Sequence, residues 1–302
     1  MDTTNKDTHK HKYTHEESPK KILVYGAGAL GSLLAARLHE AGHNVALLAR
    51  GERLISLRQH GVLLAEGNSP DIRSVPVPVV EHPDGGYDLF LVLVRTHQVD
   101  AVLDSLSGLH GDVLFMLNWA AGPEPLSRRL GRERVLLGFP AAAGTLDGEV
   151  VRYRPDNFIT RLVQTPIGEP DGRTTPRVER IIRVLRSVGL RAKAEPHTDA
   201  WLKTHAVIEV PLLQAVFAAG GPKALADDPG GVRRMIRHMR QNLADMSGPP
   251  IPRMLASLLK LPEVLLSALV RRFLRSSVAA QLNNPSPAAV AELARLAEQI
   301  RT

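Results

Sequence analysis

Apolar positions first gather at Ile22-Leu23-Val24-Tyr25, a short strand-like run that ends in a glycine turn. From Ala29 to Glu40 they recur with helical spacing, and Ala41-Gly42-His43-Asn44 closes that helix with turn formers. Val45 to Ala49 reads as a second strand, so strand, helix and strand succeed one another within about thirty residues as one βαβ unit. The alternation continues with strand-like runs at Val75–Val80, Leu89–Val94, Val113–Leu117 and Val135–Gly138, and a helix over Gln98–Leu106. Leu89–Val94 is apolar throughout, as a strand covered on both faces of a parallel sheet should be. Val150–Arg154, Phe158–Val163 and Thr165–Ile167 predict later strands with an antiparallel character. A helix over Val178–Val188 and a last strand over Leu190–Ala194 come next.

After about Pro196 the period-two signal stops. Asp199–Ala219 is a long helical pattern. Gly220-Gly221-Pro222, Asp228-Pro229-Gly230 and Ser247-Gly248-Pro249-Pro250 break the remaining chain into further helices. The expected architecture is an α/β domain over residues 21–196 with a smaller all-helical domain over residues 197–302. Residues 1–20 are polar, lack an apolar period and are expected to be a disordered tail. His9, His11 and His15 lie in that tail, where nothing rigid would hold them as metal ligands.

The turn after the first strand is Gly26-Ala27-Gly28-Ala29-Leu30-Gly31, which fits G-x-G-x-x-G. Its place between a strand and a helix, at the start of a βαβ unit, is the context that makes the pattern a dinucleotide-binding Rossmann fingerprint. Gly26 serves the tight turn, Gly28 lets a pyrophosphate approach the backbone, and Gly31 lets helix and strand pack closely. The helix N-terminus offers unpaired N–H groups to the phosphates. At the end of the second strand, where an acidic residue would hold the ribose 2′-hydroxyl of NAD, the chain has Arg50, with Arg53 one turn on. An arginine there accommodates a 2′-phosphate, so the expected cofactor is NADP(H).

Composition narrows the partners. The 302 residues are 44% hydrophobic, and no run reaches the length that spans a bilayer. The most apolar late segment, Leu255–Val270, carries Lys260, Pro262 and Glu263 and reads as a broken helix. The chain has no cysteine, and its polar start lacks the apolar stretch of a secretory signal, which points to a cytoplasmic setting. The net charge of +7 accompanies only 4% aromatic residues, leaving few stacking platforms for nucleic acid. The expected partner is a small molecule, without nucleic acid or membrane. The apolar run Met254–Phe273 is expected to serve as helical core and as the interface of a homodimer.

These features together resemble the ketopantoate reductase (2-dehydropantoate 2-reductase) family over roughly residues 21–215. The resemblance rests on Lys21–Gly31, on Gly42-His43-Asn44-Val45 leading to Arg50, and on the apolar strand that runs into Arg95-Thr96-His97-Gln98. A strand ending in Asn118, the turn Asp147-Gly148-Glu149-Val150 and Ala200-Trp201-Leu202-Lys203 at the start of the long helix complete it. The resemblance implies that Lys203 is the general acid that protonates the substrate oxygen, that Asn118 lies near the nicotinamide ribose, and that Arg95 meets the cofactor. It also implies substrate-binding asparagines one and two turns beyond the lysine, where this chain has Val207 and Pro211. Neither side chain can donate a hydrogen bond, and Pro211 is expected to kink the helix. The family's later glutamate- and serine-bearing stretch has no clear counterpart, and Asn283 and Asn284 stand at the wrong spacing to replace it.

The expectation is therefore an NADPH-dependent reductase acting on a ketone, imine or related carbonyl more apolar than ketopantoate. The alternative is a repurposed NADP(H)-binding protein that catalyses a non-redox step or acts as a sensor. His97, Trp119, His205, Val207 and Glu209 are the further residues expected around the substrate cleft. His205 and Glu209, four apart on one helix face, read either as an acid–base pair or as an interdomain ion pair.

Overall fold

A computed structural model describes residues 21–154, 164–282 and 285–301. The strand expected at Phe158–Val163, the polar residues 1–20, and Asn283 and Asn284 lie outside the described residues. The first half contains β1 (Ile22–Tyr25), α1 (Ala29–Glu40), β2 (Val45–Leu48), α2 (Gly51–His60), β3 (Val62–Glu66), β4 (Arg73–Val75), β5 (Val79–Val80) and β6 (Leu89–Val92). After a single 3-10 turn at Thr96–Gln98 come α3 (Val99–Leu106), β7 (Asp112–Met116), α4 (Glu124–Leu130), β8 (Val135–Gly138), β9 (Gly144–Asp147), β10 (Val150–Tyr153), β11 (Thr165–Gly168), α5 (Pro176–Ser187) and β12 (Ala192–Ala194).

Eight strands form one twisted sheet in the order β12-β11-β8-β7-β6-β1-β2-β5. All neighbours are parallel except β8 and β11, which run antiparallel. Strand alternation explains how the sheet is covered. Ile22 and Val24 face a core shared with Leu33, Leu38, Ile181 and Leu185 of α1 and α5. Leu23 and Tyr25 face the opposite core, with Val102 and Leu103 of α3 and Leu126 of α4.

A second sheet of four strands, β4-β3-β10-β9, lies against α1. The sequence announces its strand β10, at Val150–Arg154, but not the pairing that makes a sheet of it. The single strand expected at Val75–Val80 is two: β4 joins this small sheet and β5 the large one. Pro76 and Pro78 have no N–H to give to a ladder, so the run cannot continue as one strand. The helices α2 and α4 and the strands β3 and β9 also lack a clear periodic signal.

The helical half contains α6 (Thr198–Ala218), α7 (Pro222–Asp227), α8 (Pro229–Asp245), α9 (Arg253–Leu259), α10 (Glu263–Leu274) and α11 (Pro287–Gln299). The glycine and proline breaks fall where expected, and Lys260-Leu261-Pro262 divides α9 from α10. The helix α6 runs through Pro211 as one element. The proline leaves the Val207 carbonyl without its helical donor, and Nδ2 of Asn242 on α8 donates to that carbonyl at 3.5 Å. The last of these helices, α11, packs back against the first half. Its Leu293 and Leu296 share a core with Ala120 and Val210, and Gln299 Oε1 accepts from the Ala120 N–H at 2.9 Å.

One ion cluster pins three strand ends. Arg177, opening α5, donates to Asp112 Oδ1 at 2.8 Å and to Glu169 Oε1 at 2.7 Å, and also reaches the Glu133 carbonyl. The Glu169 side chain is only 5% exposed, so removing the guanidinium would strand a buried carboxylate. Arg177→Ala should therefore cost about 3–5 kcal/mol, read as a lower urea midpoint with an unchanged slope.

Candidate functional site

A cleft of about 1090 Å³ opens at the C-terminal ends of β1, β2 and β6. This is where the order of the large sheet reverses, β1 pairing with β2 on one side and β6 on the other. Loops on the two sides of such a switch point diverge and leave a crevice.

The glycine turn forms the floor, and its three glycines do different things. A Cβ on Gly26, where φ is +116°, would stand 2.4 Å from the Leu93 carbonyl oxygen, and one on Gly31 would stand 1.9 Å from the Gly26 carbonyl oxygen. Both are small because the protein's own backbone passes there. A Cβ on Gly28 would meet nothing within 4 Å, and Gly28 lines the cleft. Its missing side chain leaves room for a ligand. Gly28 is also the N-cap of α1 and gives no side-chain cap, and the first amide paired inside the helix is that of Ser32. The earlier amides of the turn are left to an anion in the cleft. The residues present fit a dinucleotide pyrophosphate.

Arg50, at the N-cap of α2, lines the cleft and is exposed, with Nη2 donating to the Tyr25 hydroxyl at 3.1 Å. Arg53 is placed differently. It donates to the Ala27 carbonyl at 3.3 Å, to Ser32 Oγ at 3.3 Å and to the Glu149 carbonyl at 3.0 Å, tying the β9–β10 turn beneath the glycines. Burial lowers the pKa of this guanidinium. Arg50 is thus the freer cation for a ligand.

At the other end of the cleft stand Arg95, His97, Asn118, Phe139 and Glu292. The Asn118 carbonyl accepts from Thr96 Oγ1 at 2.6 Å, and its side-chain Oδ1 is buried without a partner. Arg95 Nη1 donates to Glu292 Oε2 at 2.7 Å, joining the loop after β6 to α11. Burial raises the pKa of Glu292, against the opposing pull of Arg95.

Residues 22–160 match the family model described as Ketopantoate reductase PanE/ApbA. A curated 2-dehydropantoate 2-reductase of Archaeoglobus fulgidus is 29% identical over 177 residues, 58% of this chain and 56% of that one. One from Mesorhizobium japonicum is 25% identical over 247 residues, 72% of this chain and 73% of the relative. Over these stretches the chain is similar to ketopantoate reductases. It spans little more than half the length of the first of these relatives. The fold agrees with two solved structures. A 2-dehydropantoate 2-reductase from Geobacter metallireducens GS-15 superposes with a TM-score of 0.67 at 17% identity, over 93% of this chain and 98% of that one. A D-mandelate dehydrogenase solved with NADH and anilino(oxo)acetate superposes with a TM-score of 0.68 at 15% identity, over the same shares.

Other residues expected around a ketopantoate reductase-like site lie just outside the cleft. Lys203 Nζ donates to Asp199 Oδ2 at 2.9 Å, and both side chains face Gly122 in the loop after β7. Lys203 is not among the residues that line the cleft. His205 stacks on Trp201, with ring centroids 5.3 Å apart, and lies 4.5 Å from the ring of Phe139, which does line it. His205 Nε2 is 3.2 Å from Glu209 Oε2, without hydrogen-bond geometry. Glu209 adds to the raised pKa of Glu292, after burial. Val207 and Pro211 are buried in α6. Trp119 is buried, donates to the Gly122 carbonyl at 2.6 Å, and walls a separate cavity.

Sequence reasoning misses Glu292 and Phe139. Ser286 caps α11 and marks a helix start, yet nothing local says that this helix returns to the cleft.

The glycines predict contrasting variants. Gly31→Ala should lower thermal stability, because its methyl meets backbone. Gly28→Ala should fold normally and lose dinucleotide binding in calorimetry. Glu292 adds a pH effect. A raised folded-state pKa means the native protein holds this proton more tightly than the unfolded chain. Its contribution is present below the ordinary glutamate value of 4.5 and is lost as pH rises through the folded value. Glu292→Gln should flatten that part of the stability–pH curve.

Proposed function

We propose that the protein is an NADPH-dependent reductase acting on a ketone, or a related carbonyl or imine, more apolar than ketopantoate. The observation that carries this reading is the open space at Gly28 in a cleft whose rim holds Arg50. The first-turn amides of α1 bind the pyrophosphate, and Arg50 pairs with a 2′-phosphate. Bound NADPH supplies the hydride. Asn118 Oδ1, a buried acceptor without a partner, receives a donor from the ligand. The salt bridge between Arg95 and Glu292 closes the cleft over it.

Lys203 is the proton donor in this reading, as family resemblance implies. Its Nζ donates to Asp199 and faces Gly122, so donation to a substrate needs the lysine stem to swing toward the cleft. An apolar substrate body suits Phe139, Pro140 and Ala141 along the wall. The aryl-bearing 2-oxo acid analogue in the D-mandelate dehydrogenase structure is a chemical precedent on the same fold. The alternative, a cofactor-holding protein with a non-redox role, draws on the position of Lys203 outside the cleft lining.

The test monitors NADPH absorbance with a panel of aliphatic and aryl 2-oxo acids, ketopantoate included. Oxidation with an aryl member and little with ketopantoate is expected, and no oxidation with any member would overturn the reading. Arg50→Ala should weaken NADPH binding by about ten-fold or more and leave NADH binding nearly unchanged. Lys203→Ala should lower turnover by roughly 10²–10⁴ at unchanged NADPH affinity.

A further inference from the structure

The helix α10 is apolar on the side it shows to solvent. Val264, Leu265, Leu269 and Phe273 are 75%, 49%, 47% and 41% exposed, and Ala268 and Arg272 complete the same stripe. The opposite side, Leu266, Val270 and Leu274, faces the helical core. On the adjoining α9, Met254 and Leu258 are 68% and 44% exposed. An exposed apolar stripe of this kind on α10, with further exposed apolar residues on the next helix in the chain, marks an interaction site, and none of these residues lines the cleft.

Charge says what kind of surface would cover it. Residues 229–275, from α8 to just past α10, hold nine Lys and Arg against two Asp and Glu, a net +7 that equals the net charge of the entire chain. Several of these cations are occupied within the fold. Arg240 and Arg271 donate to backbone carbonyls, and Arg275 meets Asp227. Arg233 and Arg237 stand 3.7 and 4.0 Å from Glu263, and Arg234 meets Asp228. Arg253, Lys260 and Arg272 are exposed and have no acidic partner among the described residues. They lie in or beside the apolar stripe. A second copy would bring the same unpaired cations to the same face. A polyphosphate would leave the aliphatic stripe in water. An anionic lipid surface answers both features, taking the aliphatic side chains at the level of the headgroups and the cations among the phosphates.

We propose that the α9–α10 face docks the protein on an anionic membrane surface, without spanning it. The full chain is sedimented with vesicles of phosphatidylcholine and phosphatidylserine, and with vesicles of phosphatidylcholine alone. The expected result is co-sedimentation with the mixed vesicles, weakened about ten-fold or more without phosphatidylserine or at high salt. The double variant Leu265→Glu/Leu269→Glu and the triple variant Arg253→Ser/Lys260→Ser/Arg272→Ser should each lose vesicle binding. Both alter exposed residues and should keep the thermal unfolding midpoint. Equal binding to both vesicle types, no binding to either, or a double variant that binds like the parent would overturn the proposal. So would a dimer in light scattering that Leu265→Glu/Leu269→Glu dissolves while vesicles leave it intact, because the face would then belong to a second copy. NADPH oxidation plays no part in the readout, so the proposed reductase activity stands or falls separately.

Discussion

The structure turns on one close approach, the passage of α1 over the end of β1. Gly31 lets α1 pass the Gly26 carbonyl, and Gly26 in turn lets the turn pass the Leu93 carbonyl after β6; a methyl on either would collide. That contact sets the start of α1 at the switch point of the large sheet and aims its first amides into the crevice. It also fixes the layers above and below. The small sheet packs on the outer side of α1, and Arg53 reaches up from α2 to the Ala27 carbonyl and Ser32. The cleft is therefore a by-product of packing, and Gly28 is the one member of the motif whose small size serves a ligand instead of the fold.

Much of this is legible from residues alone. The β1–turn–α1 unit, the buried β6, the end of β2 at Arg50 and the long helix α6 each carry a local signal: period, cap or glycine spacing. The second sheet carries such a signal only at β10 and the end of β4. Its central pairing joins Leu63 to Val150, far apart in the chain. Val75–Val80 misleads because its alternating valines look like one strand, while the prolines between them forbid the ladder. At Pro211, α6 continues as one helix, and a neighbouring helix supplies Asn242 to the orphaned carbonyl.

The site shows the same division. Gly26, Gly28, Arg50, Arg95, His97 and Asn118 are positioned by elements that sequence reveals, and they line the cleft together. Lys203, His205 and Glu209 ride on α6, whose orientation to the sheet is set by packing. Their spacing determines which helix face they share, and leaves open which of them meets the crevice.

Arg95 and Glu292 stand 197 positions apart, yet their ion pair closes one end of the cleft. The crevice is thus completed only when α11 has returned to the loop after β6. Whatever ligand binds between them draws part of its affinity from that docking, and by mass action returns it as cohesion between the sheet and the helices. Cofactor occupancy and the joining of the two halves are in this sense one equilibrium, and a change at the far end of α11 would register at the glycine turn.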